Sequence, residues 1–289
     1  VKPILLLGKG YIGAALEQHL ISNNFTVTSL NRAQLDYTSP ATLQKYLKEN
    51  NNFEAVINCS GYTGFPNVDG CEKHKQDCWF WNVIVPRNIV LSTNMFMIPT
   101  IQISSGCIYT GHEKEFTEED EPNFGLYSDV SSFYSKCKHA SETIFQNCYG
   151  YILRIRMPFD GTLASKNYLN KIYKYNNLIS LKNSLTSTLD LNQFIAKFLY
   201  LFKTIPAGPI NVVNPGGVEA KEIVDLLKKN GIENPGWNFI DIGSLNTVAN
   251  RSNCVLSTEK LRLYNLELPP AMQSLERDIA LFARNVLSK

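Results

Sequence analysis

The segment Ile4-Leu5-Leu6-Leu7-Gly8-Lys9-Gly10-Tyr11-Ile12-Gly13 decides the fold. Four consecutive aliphatic residues stopped by glycine read as a strand buried on both faces, and Tyr11–Ser22 then reads as a helix. Gly8, Gly10 and Gly13 have the spacing of a dinucleotide-binding turn. The first permits the tight turn, the second lets the backbone approach a pyrophosphate, and the third lets helix and strand pack closely. The helix start, with Tyr11 and Ile12 in its first turn, turns unpaired N–H groups and the positive end of its dipole toward the phosphates.

The alternation continues downstream. Thr26–Leu30 reads as a strand, Pro40–Asn50 as a helix capped by Thr38 or Ser39, Ala55–Asn58 as a strand, Asn82–Thr93 as a helix and Thr100–Ser104 as a strand. A helix from Ser132 to about Cys148 and a strand Tyr151–Ile155, stopped by Pro158, follow. Strands joined by helical crossovers predict an α/β fold with a Rossmann-like doubly wound parallel sheet over residues 1–155. Beyond Phe159 the repeat lapses. Helices are expected at Asn167–Tyr175, Leu191–Phe202, Ala220–Lys229 and Glu276–Leu287, strands at Pro209–Val213 and Trp237–Ile240, and turns at Ile205–Pro209 and Asn214–Gly217. Residues 156–289 are expected to form mainly a smaller, partly discontinuous substrate-binding domain, with elements from 185–213 returned to the large sheet.

Composition narrows the function classes. The 289 residues carry 28 basic and 26 acidic side chains, a formal charge of +2, so no electrostatic footprint for nucleic acid is present. No window approaches the roughly 18 apolar residues of a membrane span, and the opening run lacks a signal-peptide pattern. A soluble cytoplasmic protein is expected. Seven cysteines, an odd number without CxxC pairing, argue against a zinc site and for a reducing compartment.

The second strand ends not in an acidic residue but in Asn31-Arg32. A carboxylate there would bind the ribose diol of NAD, whereas a guanidinium suits the 2′-phosphate of NADPH, so NADPH/NADP+ is the expected cofactor over NADH. Asp36 and Tyr37 lie where the chain could approach the adenine, and Ser60 follows the third strand at the same sheet edge. Ser105 ends the fourth strand, and Tyr134 and Lys138 stand four apart on one face of the following helix. A phenol becomes a usable acid–base group when a cation such as Lys138 stabilises its phenolate, and Ser105 can hold the substrate oxygen. Together they form a hydroxyl–phenol–ammonium set for carbonyl reduction with a nicotinamide hydride. Thr63, Asn67 and Asp69 follow the third strand near the ligand-binding edge, and Arg251 with Asn253 can bind a diphosphate or ribose.

Longer strings carry a resemblance: Gly61-Tyr62-Thr63-Gly64-Phe65-Pro66-Asn67-Val68-Asp69, Gly106-Cys107-Ile108-Tyr109, Glu118-Glu119-Asp120-Glu121-Pro122-Asn123-Phe124, Phe133-Tyr134-Ser135-Lys136-Cys137-Lys138, Arg154-Ile155-Arg156-Met157-Pro158 and Arg251-Ser252-Asn253. With them the chain resembles the extended short-chain dehydrogenase/reductase family. The branch it is most similar to is the bifunctional UDP-4-keto-6-deoxy-D-glucose 3,5-epimerase/4-reductases of plants and giant viruses. The resemblance implies epimerisation at C3 and C5 of a UDP-linked 4-keto-6-deoxy sugar, then reduction at C4 to UDP-β-L-rhamnose, in an enzyme that can form a homodimer. It also implies acid–base roles for Cys107, expected here as a thiolate held by nearby cations, and for Lys171, and it adds Asn123 and Arg156 to the candidate substrate contacts. A monofunctional nucleotide-4-keto-rhamnose reductase, UDP- or dTDP-linked, and a catalytically silent NADP-binding regulatory protein are the alternatives.

Overall fold

The computed structural model describes residues 2–244 and 247–288. In chain order the strands are β1 (Ile4–Leu7), β2 (Val27–Leu30), β3 (Ala55–Asn58), β4 (Thr100–Ser105), β5 (Gly150–Ile155), β6 (Pro158–Phe159), β7 (Asn177–Leu178), β8 (Asn183–Ser187), β9 (Gly208–Asn211), β10 (Asn214–Val218) and β11 (Asn238–Phe239). The helices are α1 (Tyr11–Ser22), α2 (Pro40–Glu49), α3 (Asp69–Lys73), α4 (Lys75–Trp79), α5 (Val85–Asn94), α6 (Phe133–Phe145), α7 (Tyr168–Lys174), α8 (Thr188–Leu201), α9 (Ala220–Lys229), α10 (Glu259–Leu263) and α11 (Ala271–Leu287). A π-helical turn, Phe80–Ile84, joins α4 to α5.

Six strands form one sheet in the order β2-β1-β3-β4-β5-β9, and every pairing in it is parallel. The expected α/β Rossmann-like architecture is thus present. β1 shows how the sequence dictates it. Successive strand residues point to opposite faces, so Ile4 and Leu6 join a core with Leu16 and Leu20 of α1 and Phe194 and Phe198 of α8. Leu5 and Leu7 join a second core with Leu43 and Leu47 of α2 and Val85 and Ile89 of α5. All four are fully buried, each contributing about 1.5–3 kcal/mol of apolar transfer. No helix among the described residues is long and apolar enough to cross a membrane.

A three-stranded sheet, β10-β8-β6, stands beside the large one, with its own core of Phe159, Leu169, Leu185, Ile223, Leu275 and Phe282. From β8 the chain returns through α8, which packs on α1, and enters the large sheet as β9 beside β5. The short elements α3, α10, β6 and β7 were not expected, α11 begins before Glu276, and three further elements differ from the expectation. Asn214–Gly217, expected as a turn, is most of β10: Asn214 pairs with Leu185 and Val218 with Asn183, so the Pro215-Gly216-Gly217 run is a bulge within an antiparallel pair. The helix expected at Asn82–Thr93 begins earlier and is broken by the π turn. β8, which no apolar pattern announces, is fully buried although four of its five residues are polar. Their hydrogen bonds satisfy them: Thr186 Oγ1 donates to Val212 O at 2.9 Å and Ser187 Oγ to Asp278 Oδ2 at 2.8 Å.

Candidate active site

The sheet order reverses between β1 and β3, and open parallel sheets bind ligands beyond the carboxyl ends of strands at such a point. Gly8 sits there with φ +93°, and a Cβ on it would lie 2.6 Å from Ser60 N; a Cβ on Gly13 would lie 1.9 Å from Gly8 O. Nothing lies within 4 Å of where a Gly10 Cβ would point. Gly10 caps α1 without a side-chain hydrogen bond, and the first turn holds no acidic residue. An open cradle over an uncapped helix start fits a dinucleotide pyrophosphate. Ile12 packs on the core, and the Tyr11 hydroxyl accepts from Thr188 Oγ1 at 3.3 Å, tying the turn to α8.

Beyond β2, Arg32 lies over the Trp81 ring, 5.2 Å from its centroid, a cation–π contact that holds the guanidinium near the strand end. Asn31 instead shapes the turn, its Oδ1 accepting from Ala33 N at 2.9 Å and Gln34 N at 3.1 Å. Asp36 likewise accepts from Thr38 N and Oγ1. Tyr37 is buried, which pushes its phenol up. Ser60 donates to Asn58 Oδ1 at 2.6 Å, and Asn58 in turn donates to Gln102 Oε1 at 2.7 Å, so two buried amides set the loop after β3.

Cys107 and Tyr134 share one buried cluster with Cys71, Cys78 and Cys137. Ser105 lies at the end of β4, with its Oγ accepting from Cys107 N at 3.3 Å. α6 places Tyr134 and Lys138 on one face, both buried, with the Lys138 Nζ 5.5 Å from the Tyr134 ring centroid. Burial dominates their protonation. It raises the Tyr134 phenol well above its ordinary value, although a hydrogen bond with Ser105 works the other way, and it lowers the Lys138 ammonium. The protonated phenol is therefore favoured over a standing phenolate at neutral pH. Cys107 departs from expectation in the same direction. Burial pushes its thiol up, and Ser105, Ser135, Arg156 and Lys138 do not reverse it, which disfavours the expected thiolate.

A second set of candidate side chains comes from distant segments. Lys171 on α7 is partly buried; its ammonium is lowered by burial and then by the like charges of Lys166 and Arg251. Lys166 Nζ donates to Thr63 Oγ1 at 2.8 Å and Gly64 O at 2.9 Å, closing the loop after β3 against the loop before α7. Arg251 makes a two-pronged pair with Asp69, Nη1 to Oδ1 and Nη2 to Oδ2, each at 3.0 Å, and its Nη2 also approaches Asn67 Oδ1 at 3.5 Å. Burial disfavours the Asp69 charge, but hydrogen bonds from Arg251 and Ala249 N outweigh it and hold the carboxyl below its usual range. The structure thus pairs two expected substrate contacts, Asp69 and Arg251, with each other.

Three further candidates are occupied by the chain itself. The Asn123 amide clamps Thr110, accepting from its N–H at 2.9 Å and donating to its carbonyl at 2.7 Å. Arg156 is buried and donates to Ser252 Oγ at 2.8 Å and Asn183 Oδ1 at 2.7 Å, fastening the segment around Ser252 to β8. Asn253 Oδ1 accepts from Asn183 Nδ2 at 3.0 Å within that bracket. Sequence reasoning missed Asn82. The π turn buries it so that Nδ2 donates to Tyr62 O at 2.7 Å and Cys78 O at 2.9 Å, while a Gly61 Cβ would lie 3.2 Å from its Oδ1 and 3.7 Å from Lys138 Nζ. A buried Asn inside an apolar helix pattern was its only signal.

Residues 2–180 match the RmlD substrate binding domain. The chain belongs to the RmlD-like reductase family. Among RmlD relatives, it is 30% identical over 283 residues to the bifunctional dTDP-4-dehydrorhamnose 3,5-epimerase/dTDP-4-dehydrorhamnose reductase of Arabidopsis thaliana, covering 94% of this chain and 90% of that protein. Its fold is similar to the L780 UDP-rhamnose synthase of Acanthamoeba polyphaga mimivirus, with TM-score 0.85 at 24% identity over 97% of this chain and 99% of that one. It is also similar to the dTDP-4-dehydrorhamnose reductase of Bacillus anthracis, solved in complex with NADP, with TM-score 0.81 at 19% identity over 96% and 98% of the two chains.

Proposed function

We propose that this chain is an NADPH-dependent bifunctional enzyme that epimerises C3 and C5 of UDP-4-keto-6-deoxy-D-glucose and then reduces C4 to give UDP-β-L-rhamnose. The observation that carries the reading is a pair of groups moved in opposite directions: Cys107 is kept protonated by burial, while Lys171 is driven toward the free amine by burial and two neighbouring cations. C3 and C5 both flank the C4 carbonyl, so their protons are acidic. In the proposed first stage the Lys171 amine takes the proton, the electron pair moves to O4, and the Ser105 and Tyr134 hydroxyls donate to the developing oxyanion. Cys107 then returns a proton to the opposite face. One cleft serves both stages, because the same donors that hold the enolate oxygen also hold the oxygen being reduced, and Tyr134 gives its proton to O4. Bound NADPH would supply the hydride to C4.

Arg32 supports NADPH over NADH, since a guanidinium fixed over Trp81 near the end of β2 offers a phosphate partner where no carboxylate stands. Gly8, Gly10 and Gly13 would hold the pyrophosphate, and Lys138 a ribose hydroxyl. Thr63, Asn67 and the Lys166 ammonium would face the sugar. The same reading takes the enzyme to act as a homodimer in a reducing, cytoplasmic setting, with all seven thiols free. Incubation with the UDP-linked keto sugar in deuterated water, with and without NADPH, tests the proposal. Deuterium at C3 and C5 is expected in both cases and UDP-rhamnose only with NADPH. Reduction of an already epimerised sugar without deuterium uptake would leave a monofunctional reductase instead.

A further inference from the structure

The start of α6 fixes where the Tyr134 phenol lies, yet its first turn contains no acidic residue to complement the helix dipole. Ser132 covers one free amide, its Oγ accepting from Ser135 N at 3.1 Å. The amide of Phe133, the residue directly before Tyr134, donates to Glu72 Oε1 at 2.6 Å. Such a short contact is what a charge-assisted hydrogen bond to a carboxylate gives. Glu72 belongs to α3, far from α6 in sequence, and its side chain is only 17% exposed. Lys75 Nζ lies 3.9 Å from the other Glu72 oxygen and 5.4 Å from the Phe133 ring centroid, so the carboxylate is held from both sides. The same short helix begins with Asp69, the partner of Arg251.

We propose that Glu72 is a positioning residue for Tyr134: by accepting from the first amide of α6 it sets the seat of the phenol against Ser105 and the substrate oxygen. The inference rests on the reading of Tyr134 as the proton donor for reduction. α3 then braces the site with two carboxylates, Asp69 on the Arg251 segment and Glu72 on the catalytic helix. Small displacements of a reacting group are costly, so loss of this contact should fall on turnover and not on binding.

The test compares Glu72→Ala, Glu72→Asp and Glu72→Gln in the full chain by two readouts, steady-state reduction of the 4-keto sugar and amide exchange across the first turn of α6. Glu72→Ala and Glu72→Asp, the latter keeping the charge but shortening its reach, are expected to lower kcat about 10- to 100-fold. KM for NADPH and sugar should stay within about two-fold, and the amides of residues 133–138 should exchange faster. Glu72→Gln, whose amide oxygen still accepts from Phe133, should recover most of kcat and of the protection. If Glu72→Ala does not fold, the Glu72→Asp and Glu72→Gln pair decides. Unchanged kcat in Glu72→Asp, unchanged protection in it, or a loss in Glu72→Gln equal to that in Glu72→Asp overturns the assignment. The exchange readout is independent of turnover: a wild-type chain that reduces no 4-keto sugar overturns the reading of Tyr134, and the 133–138 protection still decides the Glu72 contact.

Discussion

The two walls of the proposed cleft differ in the charge they carry. On the β4–α6 side, Cys107, Tyr134 and Lys138 are all less than a tenth exposed, and burial pushes each toward its neutral form. On the α7 side, Lys166, Lys171 and Arg251 crowd positive charge at a partly buried surface, and the Asp69 carboxylate pairs with Arg251 and accepts from Ala249 N. A desolvated wall holds hydrogen-bond donors ready for an oxyanion without reorganisation. On the other wall burial lowers the Lys171 amine, and repulsion from Lys166 and Arg251 adds to it. On the proposed function, that difference would let one cleft present acid and base to opposite faces of one sugar.

The sharpest way to break that division is to remove the donor. Tyr134→Phe is expected to cut the reduction rate by about 10²–10⁴, measured as NADPH consumption with the 4-keto sugar, while solvent deuterium still enters C3 and C5 at a reduced rate. Complete loss of both would mean the phenol does more than donate to O4. Cys107→Ala is expected to lower deuterium uptake by about 10²-fold or more yet leave reduction of the epimerised sugar measurable; equal losses in the two assays would assign the thiol to packing.

The pH dependence separates the walls. Lys171 must be unprotonated to act, so exchange should rise with pH through its lowered pKa and fall once the Cys107 thiol ionises above its ordinary value. Lys171→Gln should erase the rising limb, and Lys166→Ala should move it to higher pH by removing one repelling cation. A limb that stays in place in Lys171→Gln would point to another base. Arg32→Ala is expected to lower the NADPH over NADH preference by about ten-fold, roughly 1.4 kcal/mol, read from kcat/KM with each cofactor.

The smallest effect concerns the brace between the walls. Asp69→Asn should reduce stability by about 1 kcal/mol at neutral pH, because the pair with Arg251 is two-pronged but partly exposed. The folded pKa of Asp69 lies below the free value near 3.9, so this contribution is full above that value and disappears as pH falls through the lower folded one. Melting curves of wild type and Asp69→Asn should therefore converge in acid; a constant difference would mean the loss is one of shape, not charge.

The parts legible in advance were those with a local physical cause. β1 was readable because four aliphatics before Gly8 fit nothing but a buried strand, and α1 and α9 were readable from their apolar spacing. β8 was not, since Asn183, Ser184, Thr186 and Ser187 are stabilised by partners as distant as Asp278. The Pro215-Gly216-Gly217 bulge mimics a turn for the same reason: glycine signals a backbone kink, and only the partner strand shows whether the chain then reverses or continues. The charge states of Cys107 and Tyr134 also escaped a reading that counted nearby cations, because it could not weigh them against desolvation.

The sequence by itself determined the sheet and the glycine turn and put Tyr134 and Lys138 on one helix face, since strand alternation, the positive φ of Gly8 and helical spacing are properties of neighbouring residues. Only the tertiary structure decided that Asp69 is spent on Arg251, that Lys171 stands among cations, and that Glu72 accepts from the first amide of α6. Those outcomes depend on burial and on partners up to 182 positions apart, and neither quantity is written in any local stretch of chain.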